Sequence, residues 1–481
     1  MQKITGKIVD IVKKEIFNGA LHIENGKIKS IEPQDNVDDQ YITPGFVDAH
    51  VHVESAMLIP SEFARLATRH GTVATVSDPH EIGNVLGRNG VEFMIENGLK
   101  TPFKFYFGAP SCVPATTFET AGATIDLEDI EALFNLPNVN YLAEMMNFPG
   151  VLHKDPEVMA KIALAQKMGK LVDGHAPGLR GEDAKKYIEA GISTDHECFT
   201  IEEALDKLKY GMKIAIREGS AAKNFEALWP LIDSHPDEVM LCSDDKHPND
   251  LAVGHINQLA ARAIEKGCDL FNVLRACSLT TIKHYNMEVG LLQKDDCADF
   301  CVVKDLESFN VISTFIDGEK VAENGKTFIQ SVKETPINNF HCSIIKKEQI
   351  QIADKNTPVR VIEVEDGQLL TKETSAKLPS VDGILQSDVD QDVLKLVVVN
   401  RYHDAKPAIS FIKNVGLKRG ALASCVAHDS HNIIAVGVTD EEITRAINLI
   451  VEEKGGVSLV DDSEEMIVPL PVAGIMSHED G

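Results

Sequence analysis

The stretch "PGFVDAHVHVESAM", residues 44–57, combines an apolar opening typical of a buried strand with several ionisable side chains. His50 and His52 follow that opening two residues apart. Because side chains at positions i and i+2 of a strand face the same side, both imidazoles are expected to point the same way. Asp48 and Glu54 have the same parity, so the stretch predicts four ionisable groups on one face of a short strand.

The chain that follows alternates short apolar strands with helical segments, the pattern of a parallel sheet built from β/α units. Plausible helices lie at residues 61–70, 155–169 and 181–191. Eight such units across about 250 residues predict an α/β fold, a TIM-type (β/α)8 barrel. The candidate strands are residues 45–52, 71–79, 103–111, 138–147, 170–178, 192–198, 212–220 and 238–245.

Polar and ionisable residues are concentrated at the C-terminal ends of these strands, whereas the strand starts are apolar. A TIM-type barrel carries its catalytic groups at that end. Packing alone does not explain an asymmetry that recurs over several strands. The residues concerned are His50, His52, Asp78, His80, Glu144, His175, His196, Arg217, Glu218, Asp244 and Asp245.

Strand patterns with Asn-Gly-type turns flank the barrel on both sides, which favours one small sheet that the barrel interrupts. The last region mixes strands with a helix over residues 439–456, which we expect to begin at a Thr439 cap and stop at Gly455. The expected domains are a small split β-domain (1–43 plus 291–345), a metal-dependent hydrolase barrel (44–290) and a C-terminal α+β domain covering the barrel mouth (346–481).

Composition limits the classes of partner. The net charge of −27 argues against nucleic acid and against an anionic membrane surface. The sequence has no 18-residue apolar run and no signal-peptide pattern at its N-terminus. Its nine cysteines lack CxxC spacing, which predicts reduced thiols and a cytoplasmic protein.

The strand-end histidines and acids predict a metal site. Two imidazoles two residues apart on a strand can bind one ion, and His175, His196 and Asp244 would join them around one mouth. Glu144 would end a buried strand, where a carboxylate needs a cation or a proton. If two ions are present, this carboxylate could bridge them. Imidazole and carboxylate without thiolate suit Zn, Mn or Fe better than Ca or Mg, and the residues do not choose among the three.

Such a site predicts metal-assisted hydrolysis at an sp² carbon attached to nitrogen. Metal ions can lower the pKa of a bound water from ~15.7 to about 7, which makes hydroxide available at neutral pH. A carboxylate must then move the proton from the nucleophile to the leaving group, and Asp244 is the candidate.

The order of these residues resembles the pattern of the metal-dependent amidohydrolase superfamily, and the local sequence around them is similar to that of its adenine deaminases. The resemblance extends over nearly the whole chain. The stretches that carry it are "PGFVDAHVHVESAM", "SDPHEIGNVLG", "EMMNFPGV", "DGHAPGL", "STDHE", "REGSAAKN", "CSDDKHPNDLAVGHI" and "VAHDSHNI".

The resemblance implies hydrolysis of adenine to hypoxanthine and ammonia, in purine salvage or catabolism, by a metal-bound hydroxide that attacks purine C6. It also implies two divalent ions, Mn or Fe with Zn possible, and a homo-oligomer with a dimer favoured. The implied roles are His50 and His52 on the first metal, Glu144 as the bridging catalytic carboxylate, His175 and His196 on the second metal, and Asp244 as ligand and proton shuttle.

Other positions have alternative interpretations. The Arg217–Glu218 pair could contact the purine edge or form an ion pair, and the loop with His428 and His431 could cover the mouth and bind a further metal. Substrate binding or support of the ligands is the expectation for His80, Arg217, Glu218, Asp245, His428 and His431.

Two other functions remain open at this stage. One is another binuclear amidohydrolase acting on a different aminopurine or a cyclic amide. The other is a non-catalytic scaffold, which the complete set of ligand positions disfavours.

Overall fold

The computed structural model describes residues 2–366 and 370–481. None of the helices in these ranges has the length and apolar composition needed to cross a membrane. All nine cysteines fall within them, and each is a free thiol.

The chain begins with an antiparallel meander. A turn at Asn25-Gly26 joins its second and third strands, and both turn residues have positive φ (51° and 76°), as the sequence pattern predicts. A fourth strand pairs with the first in parallel. The strands are β1 (Gln2–Asp10), β2 (Glu15–Glu24), β3 (Lys27–Pro33) and β4 (Tyr41–Pro44).

The predicted (β/α)8 barrel is confirmed: eight parallel strands follow, one in each of the predicted segments. Most of them are buried and rich in apolar residues, because both faces of the sheet are covered. Their bounds are β5 (Phe46–Val51), β6 (Thr72–Ser77), β7 (Lys104–Ala109), β8 (Val139–Met145), β9 (Leu171–Gly174), β10 (Thr194–Asp195), β11 (Lys213–Arg217) and β12 (Val239–Cys242).

Hydrogen bonds close the barrel at two seams between its five-stranded and three-stranded parts. Between β9 and β10, the Ser193 N–H donates to the Val172 carbonyl at 2.9 Å. Between β12 and β5, the Asp244 N–H donates to the His50 carbonyl at 2.9 Å. The second seam therefore joins two of the predicted metal ligands through their backbones.

Helices cover the outside of the barrel, and several begin at an Asp or Thr cap, such as Asp126, Asp155 and Thr200. They are α1 (Pro60–Ala67), α2 (His80–Leu86), α3 (Arg88–Gly98), α4 (Leu127–Phe134), α5 (Phe148–Leu152), α6 (Pro156–Lys167), α7 (Gly181–Glu189), α8 (Ile201–Leu208), α9 (Phe225–Leu228), α10 (Leu231–Ser234), α11 (Pro248–Val253), α12 (Ile256–Glu265), α13 (Leu270–Leu274) and α14 (Thr280–Tyr285).

After the barrel, four strands return to the first sheet, whose order is β16-β15-β14-β13-β4-β1-β2-β3. The two halves are joined within the sheet by the antiparallel pairing of β13 with β4. The returning strands are β13 (Phe300–Val303), β14 (Val311–Ile316), β15 (Glu319–Glu323) and β16 (Lys326–Thr327).

The C-terminal region forms a second large sheet with one helix, α15 (Asp440–Glu453), packed across one face. The sheet order is β18-β17-β22-β21-β24-β23-β25-β26, and β19 and β20 form a separate hairpin. The strands are β17 (Val359–Glu363), β18 (Lys372–Ala376), β19 (Ser380–Val381), β20 (Ile384–Leu385), β21 (Val393–Val399), β22 (Ala408–Lys413), β23 (Ala421–Ser424), β24 (Ile433–Gly437), β25 (Gly456–Val460) and β26 (Glu465–Pro469).

The end of α15 differs from the prediction by one residue. Thr439 caps the helix as expected, but the left-handed residue at its C-terminus is Lys454 (φ 57°), not Gly455. Gly455 serves a different purpose, because a Cβ there would lie 2.2 Å from the Gly474 Cα. The glycine therefore permits a close backbone contact.

Candidate metal centre

The C-terminal ends of the barrel strands, here called the barrel mouth, bring together the side chains predicted as metal ligands. Five of the six are almost fully buried, and His175 is partly exposed. They are His50 from β5, His52 directly after β5, Glu144 from β8, His175 after β9, His196 after β10 and Asp244 after β12.

Three of these side chains form the first half of the cluster. The Nε2 atoms of His50 and His52 are 3.1 Å apart. Asp244 Oδ1 lies 3.2 Å from His52 Nε2 and 3.7 Å from His50 Nε2. The donor atoms thus surround a common point, as the ligands of one ion would.

Glu144 lies between this half and the other two histidines. Its Oε2 atom is 2.8 Å from His175 Nδ1 and 3.1 Å from His196 Nε2. Its Oε1 atom is 3.5 Å from His52 Nε2. Each carboxylate oxygen therefore faces a different set of imidazoles, which is the arrangement that a bridging ligand requires.

The imidazoles are oriented as metal ligands usually are. His52 Nδ1 lies 3.1 Å from the Asp78 carbonyl oxygen, so it can donate a proton there and leave the Nε2 lone pair directed into the site. Burial, together with His196 and His52, holds the pKa of His50 well below its ordinary value. A neutral imidazole is the form that binds a metal.

The carboxylates make this buried site strongly negative. Burial opposes ionisation, but His175 and His196 outweigh it and hold the pKa of Glu144 well below its ordinary value. Likewise burial lowers the pKa of His52, but its hydrogen bond to Asp244 raises it well above the ordinary value. The site therefore demands positive charge, and together with the histidine orientations this fits divalent metal ions.

Asp244 has a constrained geometry. Its backbone is left-handed (φ 54°), a conformation that costs a non-glycine residue roughly 1–2 kcal/mol. The Arg217 Nη1 atom donates to Asp244 Oδ2 at 2.5 Å, which leaves Oδ1 directed at the histidines. Against the effect of burial, Arg217 holds the pKa of Asp244 well below its ordinary value. Asp244 is thus an ionised carboxylate with one oxygen available.

Glu197 is a buried member of the site that the sequence analysis did not single out. Its Oε1 atom is 3.4 Å from His196 Nε2 and 3.5 Å from His175 Nδ1. Its Oε2 atom accepts from Arg217 Nη2 at 2.8 Å, and Arg217 Nη1 donates to its Oε1. The sequence feature that could have identified Glu197 is its position directly after His196, at the end of a strand.

The structure separates Arg217 from Glu218. Adjacent residues of a strand point to opposite sides, so only Arg217 enters the mouth. Glu218 instead accepts from Arg262 of α12 on the outside.

The four ionisable groups of the opening stretch do not all share one face. Asp48 lies deeper in the barrel and accepts from the Ser243 N–H at 2.9 Å. Glu54 belongs to a 3-10 turn after β5, so it does not share a strand face with the histidines.

His80, at the start of α2, connects the metal centre with the C-terminal sheet domain. Its Nδ1 atom is 3.4 Å from Glu144 Oε1 and its Nε2 atom is 3.3 Å from Glu81 Oε1. Glu81 in turn contacts His428 Nδ1 and His431 Nε2, which come from the loop after β23. This loop therefore lies against the barrel mouth.

Asp245 lies on the same side of the mouth. It accepts from Ser55 Oγ at 2.6 Å, and its Oδ1 atom is 4.0 Å from His428 Nδ1. His247 lies at the N-cap position of α11 and has no contact with the metal ligands in the hydrogen bonds and ion pairs of the described residues.

Comparison with known proteins agrees with this architecture. Residues 41–321 match the amidohydrolase family, and residues 368–481 match the adenine deaminase C-terminal domain. The chain is 57% identical to an adenine deaminase of Sulfurovum sp. (strain NBC37-1) over 98% of this chain and 87% of that protein. It is 52% identical to an adenine deaminase of Salinibacter ruber over 99% of this chain and 87% of that protein.

Among solved structures, a β-aspartyl dipeptidase from Fervidobacterium islandicum AW-1 is similar in fold, with a TM-score of 0.52. The match covers 68% of this chain and 98% of that one at 16% identity. This likeness concerns the barrel architecture alone.

Proposed function

This chain belongs to the amidohydrolase family and, within it, to the adenine deaminases, and from that membership we propose that it hydrolyses adenine to hypoxanthine and ammonia. The observation that carries the proposal is the high identity to adenine deaminases over nearly the full length. The buried cluster of histidines and carboxylates at the barrel mouth supports the same chemistry. The substrate is therefore a small molecule, in purine salvage or catabolism.

We further propose two divalent ions, Mn or Fe with Zn as the alternative. When bound, such ions lower the pKa of coordinated water to near neutrality and stabilise developing negative charge. The donor distances support His50 and His52 on the first ion and Glu144 between the two. His175 and His196 would hold the second ion.

Asp244 is the proposed proton carrier. The net reaction forms a bond from the water oxygen to purine C6 and breaks the bond from C6 to the amino nitrogen. Of the two water protons, one leaves with ammonia and the other ends on the purine ring nitrogen. Oδ1 of Asp244 faces the site and its carboxylate is ionised, so it can accept a proton from the attacking water. It can then deliver that proton to the departing amino group, and Arg217 keeps the carboxylate in position throughout.

The remaining candidate residues fall into two groups. His80 contacts Glu144 and Glu81, and Asp245, His428 and His431 lie beside it at the barrel mouth, which favours a supporting role. Arg217 holds Asp244 and Glu197, which favours support of the catalytic carboxylate over contact with the purine edge.

The direct test is turnover of adenine by the full chain loaded with manganese or iron, followed by the purine absorbance change and by released ammonia. Formation of hypoxanthine and ammonia in equal amounts is expected. A metal-replete protein that leaves adenine unchanged would contradict the proposal. A panel of other aminopurines and cyclic amides would then identify the substrate.

We also propose that the protein is a homodimer. One face of the C-terminal sheet packs on α15, but the opposite face carries apolar side chains that are 37% to 59% exposed. A contiguous apolar surface of this kind is typical of an interface. We call it the outer sheet face, and it consists of Leu422, Ile434, Leu459, Met466 and Val468.

A further inference from the structure

A second cluster of potential ligands lies between the barrel and the C-terminal sheet domain. Glu81, in the first turn of α2, is 1% exposed and uses both carboxylate oxygens. His428 Nδ1 contacts Oε1, and His431 Nε2 contacts Oε2. Asp429 and Glu81 lie with His80 in a group whose donor atoms are all within 4.8 Å of one another. We call Glu81, His428, Asp429 and His431 the interdomain cluster.

The interdomain cluster is separate from the metal centre. His80 stands between them, with Nδ1 directed at Glu144 and Nε2 at Glu81. Its Nε2 atom is also 3.5 Å from Asp429 Oδ1. The cluster shares no residue with the proposed ligands of the metal centre, so an ion there would be an additional one.

The chemistry of the cluster suits a transition-metal cation. Two imidazoles and two carboxylates are a donor set for Zn, Mn or Fe rather than for Ca or Mg. His431 Nδ1 lies 3.1 Å from the Ala427 N–H and 3.2 Å from the Cys425 carbonyl oxygen. The Ala427 N–H donates to this nitrogen, so the ring is held with Nε2 directed at Glu81.

The local charge also favours a cation. Asp245 Oδ1 is 4.0 Å from His428 Nδ1, and Glu81 contacts the same nitrogen. Asp429 Oδ1 lies beside Glu81, 3.5 Å from His80 Nε2. Three carboxylates this close together need a compensating positive charge. A divalent cation supplies that charge and uses the imidazole lone pairs as well.

We propose that Glu81, His428, Asp429 and His431 bind a divalent transition-metal ion that joins the C-terminal domain to the barrel mouth. The ion has a structural role, because both domains contribute ligands. This inference does not depend on which substrate the metal centre hydrolyses.

The test loads the full chain with Co²⁺ and removes the excess metal. Elemental analysis then gives the number of ions bound per chain. Wild type should retain one more ion per chain than the His428→Ala/His431→Ala double variant. His403→Ala, which removes an exposed histidine of the same domain, should bind as many ions as wild type. Equal metal content in wild type and the double variant would overturn the proposal and leave the cluster as an ion-paired contact.

A second variant keeps the test decisive if the double variant does not fold. His428→Cys replaces an imidazole by a thiolate ligand, so Co²⁺ bound there should gain a thiolate-to-cobalt charge-transfer band. The band should persist when Glu144→Gln is added, because that change affects the other centre. A folded His428→Cys protein that shows no such band with Co²⁺ would overturn the proposal, whether or not adenine is turned over.

Discussion

Asp244 is the residue whose chemistry can be tested most directly. In Asp244→Asn the amide cannot accept a proton from water, whereas Arg217 keeps its ion pair with Glu197 and the fold retains its buried contacts. We expect kcat to fall by about 10²- to 10⁴-fold with little change in Tm. The control Asp206→Asn, at a partly exposed carboxylate that pairs with Arg180 away from the mouth, should retain the wild-type rate. Full activity of Asp244→Asn in steady-state assays would remove the assigned role.

Glu144 permits a separate prediction about metal content. Glu144→Gln keeps the shape of the side chain but removes the negative charge that faces both sets of histidines. We expect fewer ions per chain by elemental analysis after dialysis, since a neutral amide is a weaker ligand than a carboxylate. The surface variant Glu157→Gln serves as the matched control. Unchanged metal content in Glu144→Gln would exclude a bridging role.

At the residue scale, the position of the site could be predicted from the sequence with a single rule. Polar residues at strand ends converge in a barrel, so His50, Glu144 and Asp244 could be predicted without coordinates. The partners of Arg217 could not be predicted in this way. Arg217 pairs with Glu197 from a neighbouring strand end, and which oxygen it contacts depends on side-chain geometry that leaves no pattern in the chain.

At the element scale, a buried lysine of α8 fixes the two loops that carry His175 and His196. Lys207 Nζ donates to the Ala176 carbonyl at 2.7 Å, to Glu203 at 2.9 Å and to Asp195. Its side chain is 1% exposed. Although burial opposes it, Lys207 lowers the pKa of Asp195 to about 2.

Lys207→Met should therefore destabilise the protein by about 3–5 kcal/mol, because it leaves two carboxylates buried without their cation. Urea unfolding measures this change. The double variant Asp195→Asn/Lys207→Met should recover part of the loss, since one of the uncompensated charges is removed as well. A single variant as stable as wild type would show that this lysine does not anchor the loops.

His284 of α14 predicts a dependence of stability on pH. Burial, with Lys213 nearby, lowers the pKa of His284 from 6.5 to about 4. Between these values the unfolded chain binds a proton that the folded protein does not, so acidification favours unfolding. On lowering the pH from about 7.5 to about 5, the stability of wild type relative to His284→Gln should fall by about 2 kcal/mol. An unchanged difference in unfolding free energy would contradict this.

The presence of the helices and strands could be predicted more accurately than the residues at which they end. Each barrel strand lies within its predicted segment because short apolar runs bounded by turns are a local signal. The left-handed residue that ends α15 is Lys454 and not the predicted Gly455. Gly455 is instead needed for the close backbone contact with Gly474, a tertiary feature that the local sequence does not show. The strand β10 has only two residues, which no periodicity could have predicted.

At the scale of the whole molecule, the outer sheet face predicts the oligomeric state. Leu459→Lys combined with Val468→Lys places two charges on this apolar surface, so a two-fold interface would have to bury four charges of the same sign. We expect sedimentation to show a dimer for wild type and a monomer for the double variant. Val253→Lys, at an apolar residue of α11 that is 73% exposed, should leave the dimer intact. Identical sedimentation of wild type and the double variant would place any interface elsewhere.

The barrel and its order of units could be predicted because each β/α unit is local in sequence. The contact between the C-terminal domain and the mouth could not be derived from periodicity. Glu81 and His428 are 347 residues apart, and only their folded positions bring them together. Their joint position is therefore information that the structure adds.

The sheet formed by both ends of the barrel segment has a consequence for synthesis on the ribosome. β4 pairs with β1 on one side and with β13 on the other, so its second edge remains unpaired until Val303 has been translated. At typical elongation rates, the intervening stretch takes on the order of 10 to 50 seconds to emerge. During that interval the nascent chain exposes a strand edge, and a chaperone that shields residues 41–44 would raise the yield of native protein.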